Sequence, residues 1–477
     1  MNRHIRQVGV VCALLVFALI GNLTYLNLTQ TERLENNPYN VRARDADANI
    51  HRGQILAGDL VIAESAPSTD SSVYRYQRVY ANGPLYAPVT GFYSYIYATS
   101  RIENSFNAYL VGDDSSQWLQ QLIDLASGRQ AEGSSVVTTI DPTLQEAAGA
   151  ALSGFEGAIV AMDPHSGAIK ALVTSPSYDP NLLASHDAAA QQASWTALND
   201  DPSRPMADRA SRETYPPGST FKLVVAATAL EAGLRPDTMV ETPERLQYPG
   251  SSLYLNNSTN CGDGEVTLTR ALEMSCNTAF AGLAVQLGDQ AIERQAERFG
   301  FNQTHLPELG GVASNFPQPA DDAELMRAGI GQGSVTASPL QMAMVASTFL
   351  NNGYQAEPYI VEEVRAPDLT VSWRHQVEQN AVVSASTAQS MKDMMVSVVE
   401  NGLGSPAKIP GVTVGGKSGT AQTDPSNPNY AWFVAFSLDP DLVVSVFLQR
   451  SESTSADLWG SGDAAPVAKA VLEAGRQ

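Results

Sequence analysis

An uncharged apolar run near the amino terminus is the strongest constraint on this chain. Residues 8–28 contain no charged side chain, and a helix needs about 20 apolar residues to span a bilayer. Arg3, His4 and Arg6 precede the run, and a positively charged flank stays on the cytoplasmic side of the membrane. The sequence therefore predicts a cytoplasmic tail over residues 1–7, a single-pass transmembrane anchor over 8–28, and an extracytoplasmic remainder.

A cleaved signal peptide is the competing interpretation of the same run. The apolar part of a signal peptide is roughly 7–15 residues long and ends at small residues where cleavage occurs. The run here is longer and has no clear Ala-x-Ala exit, which favours a retained anchor. Residues 29–50 are polar and without periodicity, which is typical of a linker.

Composition indicates a folded protein that does not bind nucleic acid. Hydrophobic residues make up 43% of the 477 residues and charged residues 17%, which is enough apolar material for a sizeable core. The formal net charge is −21, and an acidic chain does not suit nucleic acid or an anionic lipid surface as its main partner. The six histidines lack metal-ligand spacing, so the sequence predicts no metal site and no cofactor.

Two of the three cysteines, Cys261 and Cys276, lie in the part predicted to be exported, and Cys12 lies in the anchor. Disulfides persist outside the cytoplasm, and closing a loop of about 15 residues contributes roughly 3 kcal/mol in the chain-entropy model. A disulfide and a pair of free, buried thiols are both open on these grounds.

Short apolar runs separated by turns predict a first exported domain over residues 51–150. A Gly-Asp turn divides two apolar runs within residues 54–63, which is a hairpin signal. Residues 136–140 have the composition of a strand, and Asp141-Pro142 then begins a helix. We expect a small, mixed and non-catalytic domain here.

Residues 157–477 carry strand-like runs at both ends and helix-forming sequence between them. The runs 158–162 and 168–173 are joined by a turn of Asp, Pro, Ser and Gly, and the runs 431–436 and 442–448 repeat the arrangement. This order predicts the α+β fold class, with an antiparallel sheet assembled from both ends of the module beside a helical lobe.

A candidate nucleophile, Ser219, lies at the start of a helix-forming run. The Pro-Pro-Gly sequence at 216–218 ends the preceding segment, and residues 223–232 are strongly helix-forming. Lys222 is three residues beyond Ser219 and so on the same helix face. A desolvated lysine is neutral enough to accept a hydroxyl proton. The alternative is an ordinary helix start with a capping serine and a solvated lysine.

Two further short motifs follow in order. Ser275-Cys276-Asn277 lies between two helix-forming runs, and Lys417-Ser418-Gly419-Thr420 follows an apolar run. With Ser219-x-x-Lys222 they give the order Ser-x-x-Lys, Ser-x-Asn, Lys-(Ser/Thr)-Gly of a group of serine acyltransferases. Taken alone, the second motif has a plain helix cap as its alternative interpretation, and the third motif has a surface turn. All three in order indicate a catalytic site.

On these motifs the sequence resembles the class B penicillin-binding proteins, the membrane-anchored monofunctional peptidoglycan D,D-transpeptidases, and most closely those of actinobacteria. The resemblance covers nearly the whole chain, including Gly331-Gln332-Gly333, the capping pattern Ser338-Pro339-Leu340-Gln341 and the domain junction Thr139-Ile140-Asp141. We expect the first two stretches to be scaffold. The resemblance implies a penicillin-binding, serine β-lactamase-like transpeptidase domain over residues 157–477 and a pedestal or dimerisation-like domain over 51–150. Beside these two domains we expect no room in the chain for the additional glycosyltransferase domain of bifunctional relatives.

The resemblance also implies a role for each residue of the first two motifs. Ser219 would attack the carbonyl between the last two D-alanines of a peptidoglycan stem peptide, with Lys222 as the proton acceptor. Ser275 would relay a proton to the leaving D-alanine. Asn277 would hydrogen-bond both Lys222 and the substrate amide.

For the third motif the resemblance implies substrate binding. Lys417, which also polarises the Ser275 hydroxyl, would hold the terminal carboxylate together with Ser418 and Thr420, and Gly419 belongs to the same substrate-binding strand. The backbone amides of Thr420 and the nucleophilic serine would form the oxyanion hole. Implied partners are stem peptides, β-lactam antibiotics, the membrane, and membrane proteins of cell division or elongation.

Two other functions stay open at this point. A serine β-lactamase or a β-lactam sensor also carries Ser-Thr-Phe-Lys, although Asn277 departs from the group with valine in the second motif. A large anchored first module does not suit a secreted β-lactamase. A non-catalytic scaffold for division or elongation proteins would retain the fold, but all the catalytic side chains are present in this sequence.

Overall fold

The computed structural model describes residues 2–30, 49–69, 74–113, 132–262, 264–422, 428–451, 453 and 456–476. Its helices are α1 (Asn2–Thr29), α2 (Gly83–Thr90), α3 (Arg101–Ser105), α4 (Asn107–Val111), α5 (Pro142–Ala151), α6 (Ala188–Asp200), α7 (Lys222–Glu231), α8 (Leu268–Glu273), α9 (Asn277–Leu287), α10 (Asp289–Arg298), α11 (Asp322–Ala328), α12 (Pro339–Leu350), α13 (Ala385–Asn401) and α14 (Ala465–Ala474). Its strands are β1 (Ile55–Ala57), β2 (Leu60–Pro67), β3 (Tyr76–Tyr80), β4 (Tyr93–Ser94), β5 (Ala98–Thr99), β6 (Ser135–Thr138), β7 (Phe155–Met162), β8 (Ile169–Ser175), β9 (Met239–Thr242), β10 (Arg245–Gln247), β11 (Tyr254–Asn256), β12 (Gly264–Thr267), β13 (Tyr354–Ala356), β14 (Val361–Arg365), β15 (Val371–Arg374), β16 (Gln379–Ala381), β17 (Val414–Ala421), β18 (Tyr430–Leu438) and β19 (Asp441–Ser451).

Helix α1 coincides with the predicted anchor. Its stretch Arg6–Leu26 is long and apolar enough to cross a bilayer, and its side chains are exposed over residues 6–25. An apolar helix whose side chains are exposed is stable only in an apolar medium, since exposing that surface to water is unfavourable. The helix therefore fits a single-pass membrane anchor.

The second module is built on an antiparallel sheet of five strands in the order β17-β18-β19-β7-β8. Strands β17 to β19 come from the end of the chain, and β7 and β8 come from residues 155–175. The two groups meet where β19 pairs with β7, with Val446 opposite Ile159. The predicted α+β fold, with a sheet assembled from both ends of the module, is confirmed. Strand β17 lies at one edge of this sheet.

Helices cover both faces of this sheet. On one face α12 packs against β7, β18 and β19, and every one of its residues is buried, because a helix that is apolar on all sides must be surrounded by protein. On the other face α5 and α14 pack together, with Leu144 and Ala148 in one core cluster with Val471 and Leu472. Helix α5 was predicted as part of the first domain, but it covers the sheet of the second module.

The first module contains a mixed sheet of six strands in the order β15-β14-β6-β1-β2-β3. The predicted hairpin is confirmed, with Ile55 of β1 opposite Ala63 of β2. Strands β14 and β15 come from residues 361–374, far along the chain, and β14 pairs antiparallel with β6. The predicted boundaries at 150 and 157 treat the domains as consecutive segments and do not account for this hairpin.

Candidate active site

The segment around Ser219 is a tight turn with glycine at its beginning. Residues Gly218–Phe221 form one turn of 3-10 helix, and α7 starts only at Lys222. The sequence predicted Ser219 at the start of a buried helix, but Ser219 lies in the 3-10 turn and the α-helix begins three residues later. Gly218, directly before Ser219, has φ +53, a left-handed conformation that glycine adopts without strain. A Cβ at Gly218 would lie 2.7 Å from the carbonyl oxygen of Thr420. The glycine therefore allows the turn to pack directly on strand β17.

Of two stretches predicted to be scaffold, one supports this turn and the other caps helix α12. The amide of Gly218 donates to the carbonyl of Gly331 at 2.9 Å. Ser338 caps α12, since its hydroxyl accepts from the amide of Gln341 at 3.1 Å. The Gln341 side chain does not return to Ser338 and instead donates to the carbonyl of Phe299 at 2.7 Å. The cap is confirmed, and the reciprocal half of the capping box is wrong.

Lys222 is completely buried behind the nucleophile turn. Its Nζ lies 2.7 Å from the carbonyl oxygen of Ser275, 3.2 Å from the Ser275 Oγ and 2.7 Å from the Oδ1 of Asn277. Burial, together with the nearby positive charge of Lys417, holds the pKa of Lys222 well below its ordinary value. The first and second motifs therefore meet at one amine that readily gives up its proton.

The partners of Lys222 suit a neutral amine. The Ser275 carbonyl and the Asn277 Oδ1 are acceptors only, so each of them uses one N–H of Lys222. A neutral amine has two N–H groups, and its lone pair is then left to accept a proton from a hydroxyl group. Among the described residues, the partners of Lys222 do not include the half-buried Ser219 hydroxyl. Catalytic hydrogen bonds often form fully only when the substrate is bound.

Ser275 lies between helices α8 and α9 in a left-handed conformation, with φ +58. The N-cap position of α9 is Cys276, which makes no side-chain capping bond. The Ser275 hydroxyl instead lies within hydrogen-bonding distance of the Nζ atoms of Lys222 and Lys417. The plain helix cap that the sequence left open is therefore wrong for Ser275.

Lys417 joins the third motif to the same hydroxyl group. It is completely buried on edge strand β17, and its Nζ donates to the Ser275 Oγ and to the Ser418 carbonyl, both at 2.8 Å. Burial lowers the pKa of Lys417 to about 7. Lys222, Ser275, Asn277 and Lys417 thus form one hydrogen-bonded network.

The remaining residues of the third motif lie between this network and the nucleophile turn. Ser418 is largely buried, and the hydroxyl of Thr420 accepts from the amide of Gly460 at 3.3 Å. A Cβ on Gly419 would lie 2.9 Å from the carbonyl oxygen of Pro217, so strand and turn are in direct contact here. Of the predicted substrate-binding residues, Ser418 therefore bonds to Lys417 through its backbone carbonyl, and Gly419 and Thr420 border the nucleophile turn.

Sequence reasoning left the disulfide that supports the second motif open and did not identify the hydrogen bonds that support it. Cys276 forms a disulfide with Cys261 across a Cα–Cα distance of 5.8 Å, which decides the question that the sequence left open. The amide group of Asn277 donates to the carbonyl of Asn256 at 3.1 Å. The only sequence signal is a polar run at 256–260, and nothing in that run shows which residues it contacts.

Two family models match the chain. The model for the penicillin binding protein transpeptidase domain matches residues 157–473, and the model for the penicillin binding protein A dimerisation domain matches residues 52–136. The transpeptidase match includes all three motifs of the site.

Relatives and solved structures agree with these matches. The chain is 40% identical to the peptidoglycan D,D-transpeptidase PbpA of Mycolicibacterium smegmatis, over an alignment of 490 residues that covers 99% of each protein. It is 37% identical to the protein of the same name from Mycobacterium tuberculosis, with 100% of this chain and 99% of the relative covered. The imipenem acyl-enzyme complex of penicillin-binding protein A from M. tuberculosis superposes with a TM-score of 0.85 at 37% identity, covering 91% of this chain and 100% of that one. This chain therefore belongs to the class B penicillin-binding proteins, as a member of the actinobacterial type.

Proposed function

We propose that this protein is a peptidoglycan D,D-transpeptidase of cell wall synthesis that works through an acyl-enzyme on Ser219. The observation that supports this most is the buried network of Lys222, Ser275, Asn277 and Lys417 beside the Ser219 turn. Two mycobacterial relatives are named D,D-transpeptidases, and a relative of known structure is described as an acyl-enzyme complex with a β-lactam.

The first half of the reaction forms the acyl-enzyme. The Ser219 Oγ bonds to the carbonyl carbon of the penultimate D-alanine while its proton passes to the lone pair of Lys222. The amides of Ser219 and Thr420 stabilise the resulting oxyanion, and one such donor is typically worth about 3–4 kcal/mol in the transition state. A β-lactam reacts in the same way, except that its amide nitrogen stays attached to the acyl group.

Release of the terminal D-alanine requires a proton on its nitrogen. The Ser275 hydroxyl lies between the two lysines, so it can donate its proton to the nitrogen and recover one from Lys222. Lys417, while charged, attracts the terminal carboxylate, and the hydroxyls of Ser418 and Thr420 complete this binding. The C–N bond then breaks and D-alanine leaves as the free amino acid.

The second half transfers the acyl group to an amine of a neighbouring stem peptide. The amine attacks the ester carbonyl and loses a proton to the same Lys222–Ser275 pair. The bond to the Ser219 Oγ breaks, and the serine regains its proton. The products are a new cross-link and free enzyme.

The enzyme would act on the outer face of the cytoplasmic membrane. Helix α1 fits a single-pass anchor, and Arg3, His4 and Arg6 before it favour a cytoplasmic amino terminus. The anchor would also allow contact with membrane proteins of division or elongation. Protease added to intact protoplasts should degrade everything after α1, and full protection of the catalytic domain would reverse this orientation.

Labelling with a fluorescent penicillin tests the proposed chemistry. Full-length protein in detergent should acquire a covalent label, Ser219→Ala should acquire none, and the exposed Ser405→Ala variant should behave as wild type. The label should persist for many minutes, because the enzyme does not hydrolyse the ester efficiently. Rapid turnover of the antibiotic would indicate a β-lactamase, and absence of label on the folded wild-type protein would favour a non-catalytic scaffold.

A further inference from the structure

The loop between β11 and β12 contacts almost every residue of the second motif and its flanks. The loop residues involved are Asn256, Asn257, Ser258, Thr259 and Cys261, and we call this stretch the 256–261 loop. Its partners lie in segment 274–278, and each residue of that segment except Ser275 bonds to the loop through a side chain or backbone atom.

The contacts are short and directional. Thr259 Oγ1 donates to the Met274 carbonyl at 2.6 Å. Asn257 makes two bonds to Thr278: its Oδ1 accepts from the Thr278 amide at 3.0 Å, and its Nδ2 donates to the Thr278 Oγ1 at 2.9 Å. Asn277 Nδ2 donates to the carbonyl of residue 256 at 3.1 Å and lies 3.4 Å from the Oγ of residue 258. The loop therefore holds both flanks of Ser275.

The disulfide adds a covalent bond at the centre of the motif. Cys276, the residue between Ser275 and Asn277, is completely buried, and its partner Cys261 is 6% exposed. Hydrogen bonds on both sides of this bridge leave segment 274–278 little freedom to move relative to the loop.

Segment 274–278 needs support because of its backbone. Ser275 has φ +58, a conformation that a non-glycine residue keeps only when its surroundings enforce it. Helix α9 begins at Asn277 without a side-chain cap. The segment also presents the Ser275 carbonyl, the Ser275 hydroxyl and the Asn277 Oδ1 to Lys222. Loop and lysine thus bond to different atoms of the same short segment.

We propose that the 256–261 loop and its disulfide to Cys276 are a positioning element of the acylation site, which holds Ser275 and Asn277 at proton-transfer distance from Lys222. The proposal rests on the function proposed above, since it concerns the same site. Asn257, Thr259 and Cys261 are positioning residues in this scheme, because they act through residues 274–278.

A positioning role should change the pH dependence of acylation, which a loss of stability alone would not do. If segment 274–278 moves away, water reaches Lys222, and its pKa rises from its lowered value toward the ordinary one. Acylation requires the neutral amine, so the rising, acid-side limb of the pH–rate profile should move to higher pH. A variant that only unfolds more easily keeps the position of this limb.

The principal test removes the disulfide in the full-length protein. We expect Cys261→Ser/Cys276→Ser to lower the second-order rate constant for penicillin acylation by roughly tenfold to a hundredfold, since small displacements of catalytic groups have effects of this size. Its acid-side limb should move to higher pH. Asn260→Ala is the matched control, because Asn260 lies in the same loop and, within the described residues, bonds only the amide of Gly262.

A second variant tests the positioning role of the 256–261 loop if the double cysteine variant does not fold. Asn257→Ala removes both bonds to Thr278 and leaves the disulfide intact. We expect a smaller loss, roughly threefold to tenfold in acylation rate, and a shift of the acid-side limb in the same direction. Rates are measured well below the midpoint of thermal unfolding of each variant.

Wild-type rates and an unmoved limb in whichever of these variants folds would overturn the proposal. A lower rate with an unmoved limb, matched by Asn260→Ala, would overturn it as well, because the loop would then contribute only to stability. Failure of the proposed function looks different, since the wild-type protein itself would then carry no Ser219-dependent label.

Discussion

Lys222 and Lys417 approach the same oxygen atom, the Oγ of Ser275, at 3.2 and 2.8 Å. Both side chains are completely buried, so neither charge is hydrated and the two repel each other. Burial lowers the pKa of Lys417 to about 7, and burial with the charge of Lys417 lowers that of Lys222 well below its ordinary value. As pH rises, we expect Lys222 to lose its proton before Lys417.

This order predicts a bell-shaped pH dependence of acylation. The rate should rise as Lys222 becomes neutral and can accept the serine proton, and fall above about pH 7 as Lys417 loses the charge that attracts a carboxylate. In Lys417→Met the repelling charge is gone, so the pKa of Lys222 should rise and the acid-side limb should move to higher pH. The falling limb should disappear.

The measurement is the rate of labelling by a fluorescent penicillin across this pH range. Lys408→Met is the control, because Lys408 is an exposed lysine paired with Glu400. An acid-side limb that moves to lower pH in Lys417→Met would contradict the coupling between the two lysines.

Gly218→Ala should abolish acylation by displacing the nucleophile turn. The new Cβ would lie 2.7 Å from the Thr420 carbonyl oxygen, and the left-handed conformation costs an alanine about 1–2 kcal/mol. Gly154→Ala is the matched control, because Gly154 also has a positive φ but has no atom within 4 Å of its Cβ position. Both variants should lose stability through the left-handed conformation, and Gly218→Ala should lose more because of the clash. Equal labelling by the two would show that the turn tolerates the clash.

His305 should make stability depend on pH. Its two ring nitrogens lie 2.7 Å from the Oε1 of Glu357 and 2.8 Å from the carbonyl oxygen of Gly300, and only a protonated ring donates to both. Burial lowers the pKa of His305, but the hydrogen bond and charge of Glu357 outweigh this and raise it overall. The stabilisation is therefore complete below the unfolded pKa and is lost as pH rises through the folded pKa.

Glu357→Gln should remove most of this dependence. We expect the variant to be less stable by about 1–2 kcal/mol near pH 6 and to approach wild type at higher pH. Thermal unfolding of the two proteins between pH 5.5 and 8.5 would show the difference, and a stability gap that widens with pH would contradict it.

Glu103 should be essential for the stability of the first module. It is completely buried and pairs with Arg52 at 2.7 Å and with Arg78 at 2.6 Å. Glu103→Gln keeps the shape but leaves two buried guanidinium groups without a countercharge, which we expect to cost roughly 3–5 kcal/mol. The exposed Glu64→Gln on the same sheet should stay within about 0.5 kcal/mol of wild type. Chemical unfolding measures both, and equal effects would mean that the buried charge is not needed.

Many of the secondary-structure elements and all three motifs could be predicted from the amino-acid sequence. The apolar run 8–28, the hairpin at 54–63 and the helix start at Asp141 depend on local chemistry, and the structure contains an element at each place. The strand runs at both ends of the second module also predicted its sheet, because a strand and the turn after it are both visible in the local sequence. The three motifs were equally local, since each is a few residues long.

What only the tertiary structure decided involves contacts between residues far apart in the chain. Residues 361–374 complete the first sheet, and helix α5 covers the second, because edges and faces are filled by whichever apolar segment the folded chain brings there. The pairing of Cys261 with Cys276 and the Asn257–Thr278 bonds likewise exist only once the loop is placed. Sequence determined which chemical groups the site contains, whereas long-range packing determined their distances and their burial, and hence the lowered pKa values of the two lysines.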